Sequence, residues 1–310
     1  MSVEKRPDKL LIVVTGPTAV GKTALCLRLA QEFNASIVSA DSRQFYREMN
    51  IGTAKPLEQE LAQVKHYFID THSVTEEYSA GDFEEDALAV LGNIFKDNDT
   101  AILTGGSGLY IKAVTEGMDA MPETQSGLRE QLQEELERKG LPFLLDKLQQ
   151  GDPVYYAQVD RANAQRIIRA LEVCISSGQP YSNFRKAATT SQERPFTILK
   201  IGLCRDRAEL YHRIDARMDK MLQNGLLEEA KALYSFRHHN ALQTVGYKEI
   251  FDYLENSYSW EEAIRLLKRN SRRYAKRQLT WFKKDKEFIW FHPENTAEII
   301  AYIQERLPKN

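Results

Sequence analysis

A loop of eight residues near the start of the chain has the composition of a phosphate-binding site. Its members match the pattern GxxxxGK[ST] and are Gly16, Pro17, Thr18, Ala19, Val20, Gly21, Lys22 and Thr23. Glycines let backbone N–H groups turn onto phosphate oxygens, and the helix that should follow adds a favourable dipole. Lys22 would reach a phosphate as a point charge, and the Thr23 hydroxyl would bind Mg²⁺ or a phosphate oxygen. The loop therefore predicts a diphosphate or triphosphate ligand, without indicating the reaction.

A carboxylate follows the second strand-like stretch of the sequence. Asp41 comes directly after residues 36–40, at the strand end where parallel α/β sheets place their ligands. Two roles suit it there, a metal ligand of the Walker-B type or a general base. The residues that follow, 42–46 and 51–56, are polar and basic, unlike the apolar continuation of a core helix.

A second glycine-rich turn occurs at Thr104–Tyr110, which reads TGGSGLY. It joins a strand-like stretch to a helical one. By itself this turn is equally compatible with glycines that only allow close packing and with a second ligand contact.

The elements that must position these residues alternate between strands and helices. Residues 10–15 form a continuous apolar run typical of a buried parallel strand, and residues 21–33 have helical spacing. Further strand-like stretches lie at 36–40, 67–69, 101–103, 197–203 and 288–291. Strands separated by helices predict an α/β fold, a P-loop NTPase-like parallel sheet flanked by helices.

The middle of the chain departs from this alternation. Residues 126–177 contain long amphipathic helices, and Gly178-Gln-Pro180 ends them. The simplest interpretation is a core of residues 8–120 and 194–310, interrupted by a mainly helical insertion over residues 121–193.

The composition bounds the class of protein. Hydrophobic residues make up 42% and charged residues 28% of the 310 positions, which is ordinary for a globular chain. Cys26, Cys174 and Cys204 lie too far apart for a CxxC pair or a disulfide framework, so reduced cysteines in a cytoplasmic protein are expected.

Positive charge is concentrated near the C-terminus, although the formal net charge is −2. The basic cluster contains Arg265, Lys268, Arg269, Arg272, Arg273, Lys276, Arg277, Lys283 and Lys284, with Tyr274 and Trp281 interleaved. A solvated helix face is one interpretation. The concentration within a near-neutral chain favours contacts with a nucleic-acid phosphate backbone.

Eight motifs in a fixed order resemble those of the tRNA dimethylallyltransferases, also called tRNA isopentenyltransferases. They are GPTAVGKT from Gly16, DS with NIGTAKP up to Pro56, YSAGDF from Tyr78, TGGSGLYIKA from Thr104, QRIIRALE from Gln165, RMDKML from Arg217, VGY from Val245 and RQLTWF from Arg277. The resemblance covers residues 8–290 and is highly specific. It implies transfer of a dimethylallyl group from dimethylallyl diphosphate to N6 of the adenosine just 3′ of the anticodon.

The resemblance also implies roles for individual residues. The phosphate-binding loop would hold the diphosphate of the isoprenoid donor and not ATP, with Mg²⁺ as cofactor and Thr23 as its ligand. Thr23 and Arg217 would stabilise the leaving group, and Asp41 would take the proton of the acceptor amine. An ordinary surface salt bridge is the alternative for Arg217.

A larger set of residues is expected to contact tRNA on the same grounds. It comprises Asp41, Ser42, Arg43, Gln44, Ser107, Arg129, Gln165, Arg166, Ile167, Ile168 and Arg169. For Arg166 and Arg169 the alternative is a polar flank on a core helix. The basic cluster would then contact the tRNA stem.

One feature departs from part of the family. The eukaryotic relatives carry a C-terminal zinc finger, and here the six histidines are not paired with cysteines. A bacterial-type, zinc-free, monomeric enzyme is expected. Three other classes stay open, namely a P-loop small-molecule kinase, an adenylate isopentenyltransferase and a non-catalytic tRNA-binding protein.

Overall fold

The computed structural model describes residues 9–185 and 193–307. The chain divides into two compact units, Met1–Glu116 with Glu193–Asn310, and Gly117–Gln192. Parts of the predicted domains, namely residues 8, 186–192 and 308–310, lie outside the described residues.

The first unit contains a six-stranded sheet in which all paired strands run parallel. The strands are β1 Leu10–Thr15, β2 Ser36–Ser39, β3 His66–Tyr67, β4 Thr100–Gly105, β5 Thr197–Leu203 and β6 Ile289–Phe291. Their order across the sheet is β3-β2-β4-β1-β5-β6. The predicted α/β architecture with a parallel sheet is confirmed.

Twelve α-helices occur within the described residues. In chain order they are α1 Lys22–Glu32, α2 Glu58–Leu61, α3 Ala80–Asp97, α4 Gly108–Glu116, α5 Leu128–Gly151, α6 Pro153–Gln158, α7 Ala164–Ser177, α8 Arg207–Gln223, α9 Leu226–Ala232, α10 Tyr247–Leu254, α11 Trp260–Phe282 and α12 Thr296–Gln304. None of these helices is both long and apolar enough to cross a bilayer.

The central strand β1 explains why its sequence is apolar without alternation. Leu10, Ile12 and Val14 face a core that includes residues of α1, α8 and α12. Leu11 and Val13 face a second core that includes residues of α3 and α4. Both faces of the strand are therefore buried, and each such side chain stabilises the fold by roughly 1.5–3 kcal/mol.

Three loops meet at one edge of the sheet because the strands are parallel and in register. Thr15 at the end of β1 pairs with Gly105 at the end of β4, and Ser39 at the end of β2 pairs with Thr104. The segments that follow these strands therefore emerge side by side. They are the phosphate-binding loop, the segment that begins with Asp41 and the second glycine-rich turn.

The helical unit has its own apolar core. Leu132 and Leu148 of α5 and Ile167 and Ile168 of α7 belong to one buried cluster. Helix α5 is broken at Gly140, where φ is 79° and ψ is 170°. The long helices predicted over residues 126–177 are present as α5, α6 and α7.

Candidate active site

The phosphate-binding loop connects β1 to α1 in the arrangement that the motif predicts. Gly21 has φ of 117° immediately before α1, a conformation that costs an L side chain free energy and suits glycine. The Lys22 ammonium folds back over the loop and donates hydrogen bonds to the carbonyl oxygens of Gly16 at 2.9 Å and Pro17 at 3.0 Å. The lysine is thus held at the mouth of the loop by backbone groups.

Burial gives this lysine an unusual acidity. Removal from water lowers the pKa of Lys22 to about 8, the nearby Asp41 charge opposes that shift, and the Arg217 charge adds to it. Lys22 is therefore mostly charged at neutral pH and loses its charge as the pH rises through about 8.

Asp41 lies on the same cavity as the loop. One of its carboxylate oxygens accepts a 3.0 Å hydrogen bond from the backbone N–H of Arg43. Burial raises the pKa of Asp41, and the Arg43 N–H and the Lys22 charge partly offset that shift. A carboxylate with a raised pKa is a stronger base than an exposed one, which suits proton abstraction.

The cavity itself has a polar and an apolar part. Its polar lining is Lys22, Thr23, Ser39, Asp41, Gln44, His66 and Thr104, and the rest is Cys26, Ile37, Pro56, Ile69 and Gly105. The Thr23 hydroxyl and the Asp41 carboxylate are hard oxygen donors of the kind that Mg²⁺ prefers. The residues present therefore fit a magnesium ion that is also bound by substrate phosphates.

Two arginines of α8 border the phosphate-binding loop. Arg217 donates to the Thr18 hydroxyl at 3.1 Å, and Arg213, one turn earlier, donates to the carbonyl oxygen of Ala19 at 2.9 Å. Burial lowers the pKa of Arg217. Within the described chain Arg217 forms no salt bridge, so the geometry favours the loop-binding interpretation over a surface ion pair.

The second glycine-rich turn is tied to both other loops. The Ser107 hydroxyl accepts the backbone N–H of Ser42 at 2.9 Å and donates to the Ser42 hydroxyl at 3.0 Å. The buried Gln278 of α11 accepts the N–H of Thr18 at 2.9 Å and donates to the carbonyl oxygen of Gly106 at 2.9 Å. A Cβ at Gly106 would overlap this amide, so a larger residue there would displace Gln278 from its hydrogen bonds. A ligand contact by Ser107 stays a prediction.

Side chains from distant helices hold part of the backbone of the segment after Asp41. The Glu229 carboxylate accepts N–H groups of Asn50, Ile51 and Gly52 at 2.8–3.0 Å, and the Tyr247 hydroxyl donates to it at 2.6 Å. These contacts fix the backbone of residues 50–52. Phe45, Tyr46 and Met49 of the same segment are buried in an apolar cluster, which corrects the expectation that the segment lacks core residues.

Gln44 and Arg43, near the start of the segment, differ in their surroundings. Gln44 donates to the carbonyl oxygens of Thr53 and Ala54 at 3.2 Å and accepts from Ser39 at 3.1 Å. Arg43 donates to the carbonyl oxygen of Ser42 at 2.9 Å. The side chain of Gln44 is therefore occupied within the protein, and the tRNA contacts expected of both residues stay predictions.

The remaining predicted tRNA contacts lie in the helical unit. Gln165 and Arg166 are exposed at the start of α7. Arg129 forms a two-point ion pair with the buried Glu172, at 2.7 and 2.8 Å, and Arg169 lies 3.7 Å from the same carboxylate. The arginines thus have a structural role in this unit, and their contact with tRNA is untested.

Two residues of this set have buried side chains. Ile167 and Ile168 are both 0% exposed in the core of the helical unit. An RNA contact of this segment therefore falls to the exposed side chains of Gln165 and Arg166 and to the half-exposed Arg169.

Seven of the nine residues of the basic cluster fall into two groups. Arg265 pairs with Glu262 at 2.6 Å, Lys268 with Asp219 at 2.6 Å, and Arg272 with Asp215 at 2.5 Å. A second group lines an open concavity and has no acidic partner within the described residues; it consists of Arg273, Lys276, Arg277 and Lys284. The sequence alone does not separate the two groups, because the acids that pair with Lys268 and Arg272 lie on α8.

Residues 44–285 match the family model described as IPP transferase. This chain belongs to the IPP transferase family. The match covers most of the core and the whole helical unit. The resemblance inferred from the motifs is thereby confirmed, and the chain is an enzyme, a transferase.

Named relatives within the IPP transferase family agree with this assignment. A tRNA dimethylallyltransferase of Cytophaga hutchinsonii is 51% identical over 300 residues, covering 97% of this chain and 98% of its own. A tRNA dimethylallyltransferase 1 of Phocaeicola vulgatus is 50% identical over 297 residues, covering 96% and 98%.

Solved structures of the IPP transferase family share the fold. The tRNA isopentenylpyrophosphate transferase of Bacillus halodurans is 38% identical, with a TM-score of 0.71 and 97% of each chain covered. A eukaryotic dimethylallyltransferase captured acting on tRNA is 28% identical, with a TM-score of 0.72, covering 88% of this chain and 69% of its own.

Several residues that build this site were missed by sequence reasoning. Arg213 has a signal, because it precedes Arg217 by four residues and so shares its helix face. Arg205, which donates to the carbonyl oxygen of Val20 at 2.8 Å, follows β5 at a strand end. Gln278 stands inside the RQLTWF motif, but nothing local indicates that it joins two loops. Glu229 has no signal in the sequence.

Proposed function

We propose that this transferase moves the dimethylallyl group of dimethylallyl diphosphate to N6 of the adenosine just 3′ of the anticodon in tRNA. Diphosphate is released. The observation that carries the proposal is the convergence of Lys22, Thr23 and Asp41 on one cavity, in a chain of the IPP transferase family. In that cavity the phosphate site would hold the donor, and the carboxylate base would lie beside the acceptor amine.

The donor side would act by stabilising the charge that develops on the departing diphosphate. Preorganised donors aimed at such charge supply the largest share of many enzymes' rate enhancement. Lys22 provides the ammonium, and Arg217 adds a guanidinium beside the loop. Mg²⁺, held by Thr23 and by phosphate oxygens, would neutralise further charge on the leaving group.

The acceptor side would act by taking a proton from the exocyclic amine. That amine is a poor nucleophile, because its lone pair is delocalised into the purine ring. The Asp41 carboxylate would accept its hydrogen bond and then its proton as the new C–N bond forms. The adenine must leave the base stack to reach the cavity, as happens in other enzymes that modify bases.

Ser42 and Ser107 are proposed to guide the extruded base, because they are joined to each other directly beside Asp41. Gln165 and Arg166 supply exposed polar groups in the helical unit. A tRNA acceptor makes the cytoplasm the expected location. A monomer is proposed as the working state, and sedimentation at assay concentration tests it.

Incubation with radiolabelled dimethylallyl diphosphate tests the proposal. Bulk tRNA and AMP serve as alternative acceptors, with and without Mg²⁺. Label is expected in tRNA, in a magnesium-dependent manner, and not in AMP. Label in AMP would indicate an adenylate isopentenyltransferase instead, and consumption of ATP without transfer of label would indicate a kinase.

The second group of the basic cluster gives a separate prediction. Replacing Arg273 and Lys276 with glutamine should weaken binding of all tRNAs alike, because phosphate contacts carry little sequence information. The slope of log affinity against log salt should fall by roughly one for each phosphate that is no longer neutralised. Filter binding at several salt concentrations measures it.

Glutamine at Arg265 and Lys268 is the matched control. These side chains lie on the same helix but are paired with Glu262 and Asp219. Their removal should leave the salt slope nearly unchanged. Equal slopes for wild type and for the Arg273 and Lys276 variant would assign the whole cluster to a solvated surface.

A further inference from the structure

An exposed indole stands in the middle of the unpaired basic group of α11. Trp281 is 40% exposed. It lines an open concavity, the Trp281 concavity, together with Thr280 and the four cations Arg273, Lys276, Arg277 and Lys284.

The Trp281 concavity adjoins the acceptor side of the candidate active site. The indole lies against Gly108, where a Cβ would overlap the ring. Gly108 follows Ser107, whose hydroxyl accepts the N–H of Ser42, and Ser42 follows Asp41. A continuous set of contacts therefore connects the proposed base to the edge of the indole.

The chemistry of the surface indicates which partner fits it. Four cations without acidic partners in the described chain repel one another and attract a polyanion. An exposed aromatic ring between them offers a flat apolar face. Single-stranded nucleic acid matches this combination, because its phosphates pair with cations while its bases stack on aromatic rings.

We propose that the indole of Trp281 stacks against an unpaired RNA base next to the extruded adenosine, while the surrounding cations hold the phosphates of that loop. This rests on the proposed function, which makes tRNA the acceptor. It adds a base contact on α11 to the phosphate contacts expected there. A nucleotide stacked on Trp281 would hold the loop open beside the cavity.

The test compares Trp281→Ala, Trp281→Leu and Trp281→Phe. Leucine keeps an apolar side chain over Gly108 but cannot stack as an aromatic ring does. Phenylalanine keeps a smaller ring. Affinity is measured for an anticodon stem-loop RNA and for the matching duplex stem without its loop, across a salt series.

The alanine and leucine variants should bind the stem-loop roughly 5- to 150-fold more weakly, the range given by base–aromatic stacking. Phenylalanine should restore much of that affinity. The salt slope should stay unchanged, unlike that of the Arg273 and Lys276 variant, and affinity for the duplex stem should not move. Titration with the stem-loop should also quench tryptophan emission in the wild type more than in Trp281→Phe, which retains Trp260 and Trp290.

Equal affinity of all four proteins for the stem-loop would overturn the stacking proposal, as would an equal weakening for the stem-loop and the duplex stem. Thermal unfolding and affinity for dimethylallyl diphosphate monitor the fold of each variant. Weakening by leucine that phenylalanine does not rescue would assign Trp281 to packing on Gly108, which contradicts stacking. Transfer of label to tRNA by the wild-type protein is the control for the proposed function. If the wild type transfers label but any of these contradicting results is found, the stacking inference fails and the proposed function stands.

Discussion

Replacing Asp41 with asparagine should lower the rate of the chemical step by roughly 10²–10⁴-fold, the usual contribution of a general base. Asparagine keeps the size of the side chain and can still accept the N–H of Arg43, a bond of 3.0 Å in the wild type. It cannot take the proton of the acceptor amine. Affinities for tRNA and for the isoprenoid diphosphate should change much less than the rate.

The alternative role of Asp41 as a magnesium ligand predicts a different result. Loss of a metal ligand raises the metal requirement, and excess Mg²⁺ or Mn²⁺ should then restore much of the rate. Single-turnover rates across a metal titration therefore separate the two roles. Recovery of near wild-type rate at high metal would remove Asp41 from the role of base and place it among the metal ligands.

The pH dependence gives an independent check on Asp41. A base must be ionised to act, so the rate should fall as the pH drops through its pKa. Because burial raises the pKa of Asp41, this acid limb should lie above the usual range for an aspartate. The residual activity of Asp41→Asn should lack that limb.

Replacing Lys22 with alanine should lower kcat/KM for dimethylallyl diphosphate by roughly 10²–10³-fold, as when one preorganised donor to a developing anion is removed. The affinity for tRNA should stay near the wild-type value, since Lys22 contacts the loop carbonyls and the donor side of the cavity. Single-turnover kinetics and filter binding measure the two quantities. A variant that no longer bound tRNA but kept its single-turnover rate at saturation would contradict the assignment.

The ionisation of Lys22 should also determine how kcat/KM for dimethylallyl diphosphate falls at alkaline pH. Only the charged ammonium binds phosphate well, and the pKa of Lys22 in the free protein is about 8. The value of kcat/KM for the donor should therefore decline as the pH rises through about 8. Lys22→Arg is the control, because a guanidinium stays charged and should abolish that decline whatever its effect on the absolute rate.

The parts of the fold that could be predicted from sequence are those with local causes. β1 is buried on both faces, so its apolar run marks it without reference to any partner. Asp41 could be placed at the sheet edge because parallel strands bring their carboxyl ends together. Both inferences need only short stretches of chain.

The contacts that complete the site come from distant segments and leave no local pattern. Gln278 joins two loops, and Glu229 accepts three N–H groups of the segment after Asp41. A polar residue in a helix gives no sign that its side chain points at a backbone far away in sequence. The burial of Ile167 and Ile168 likewise depends on α5, so the motif alone could not distinguish their core positions from surface ones.

The hydrogen bond between Thr18 and Gln278 has a consequence for folding of the nascent chain during synthesis. It spans 260 positions, so the loop finishes emerging from the ribosome long before the residue that joins it to the second glycine-rich turn. At about 5–20 residues per second, that interval is roughly 13–50 s. We therefore expect a ribosome-bound chain stalled near residue 250 to retain labelled diphosphate far more weakly than a completed one. Donor and acceptor loops would then mature together in one late event.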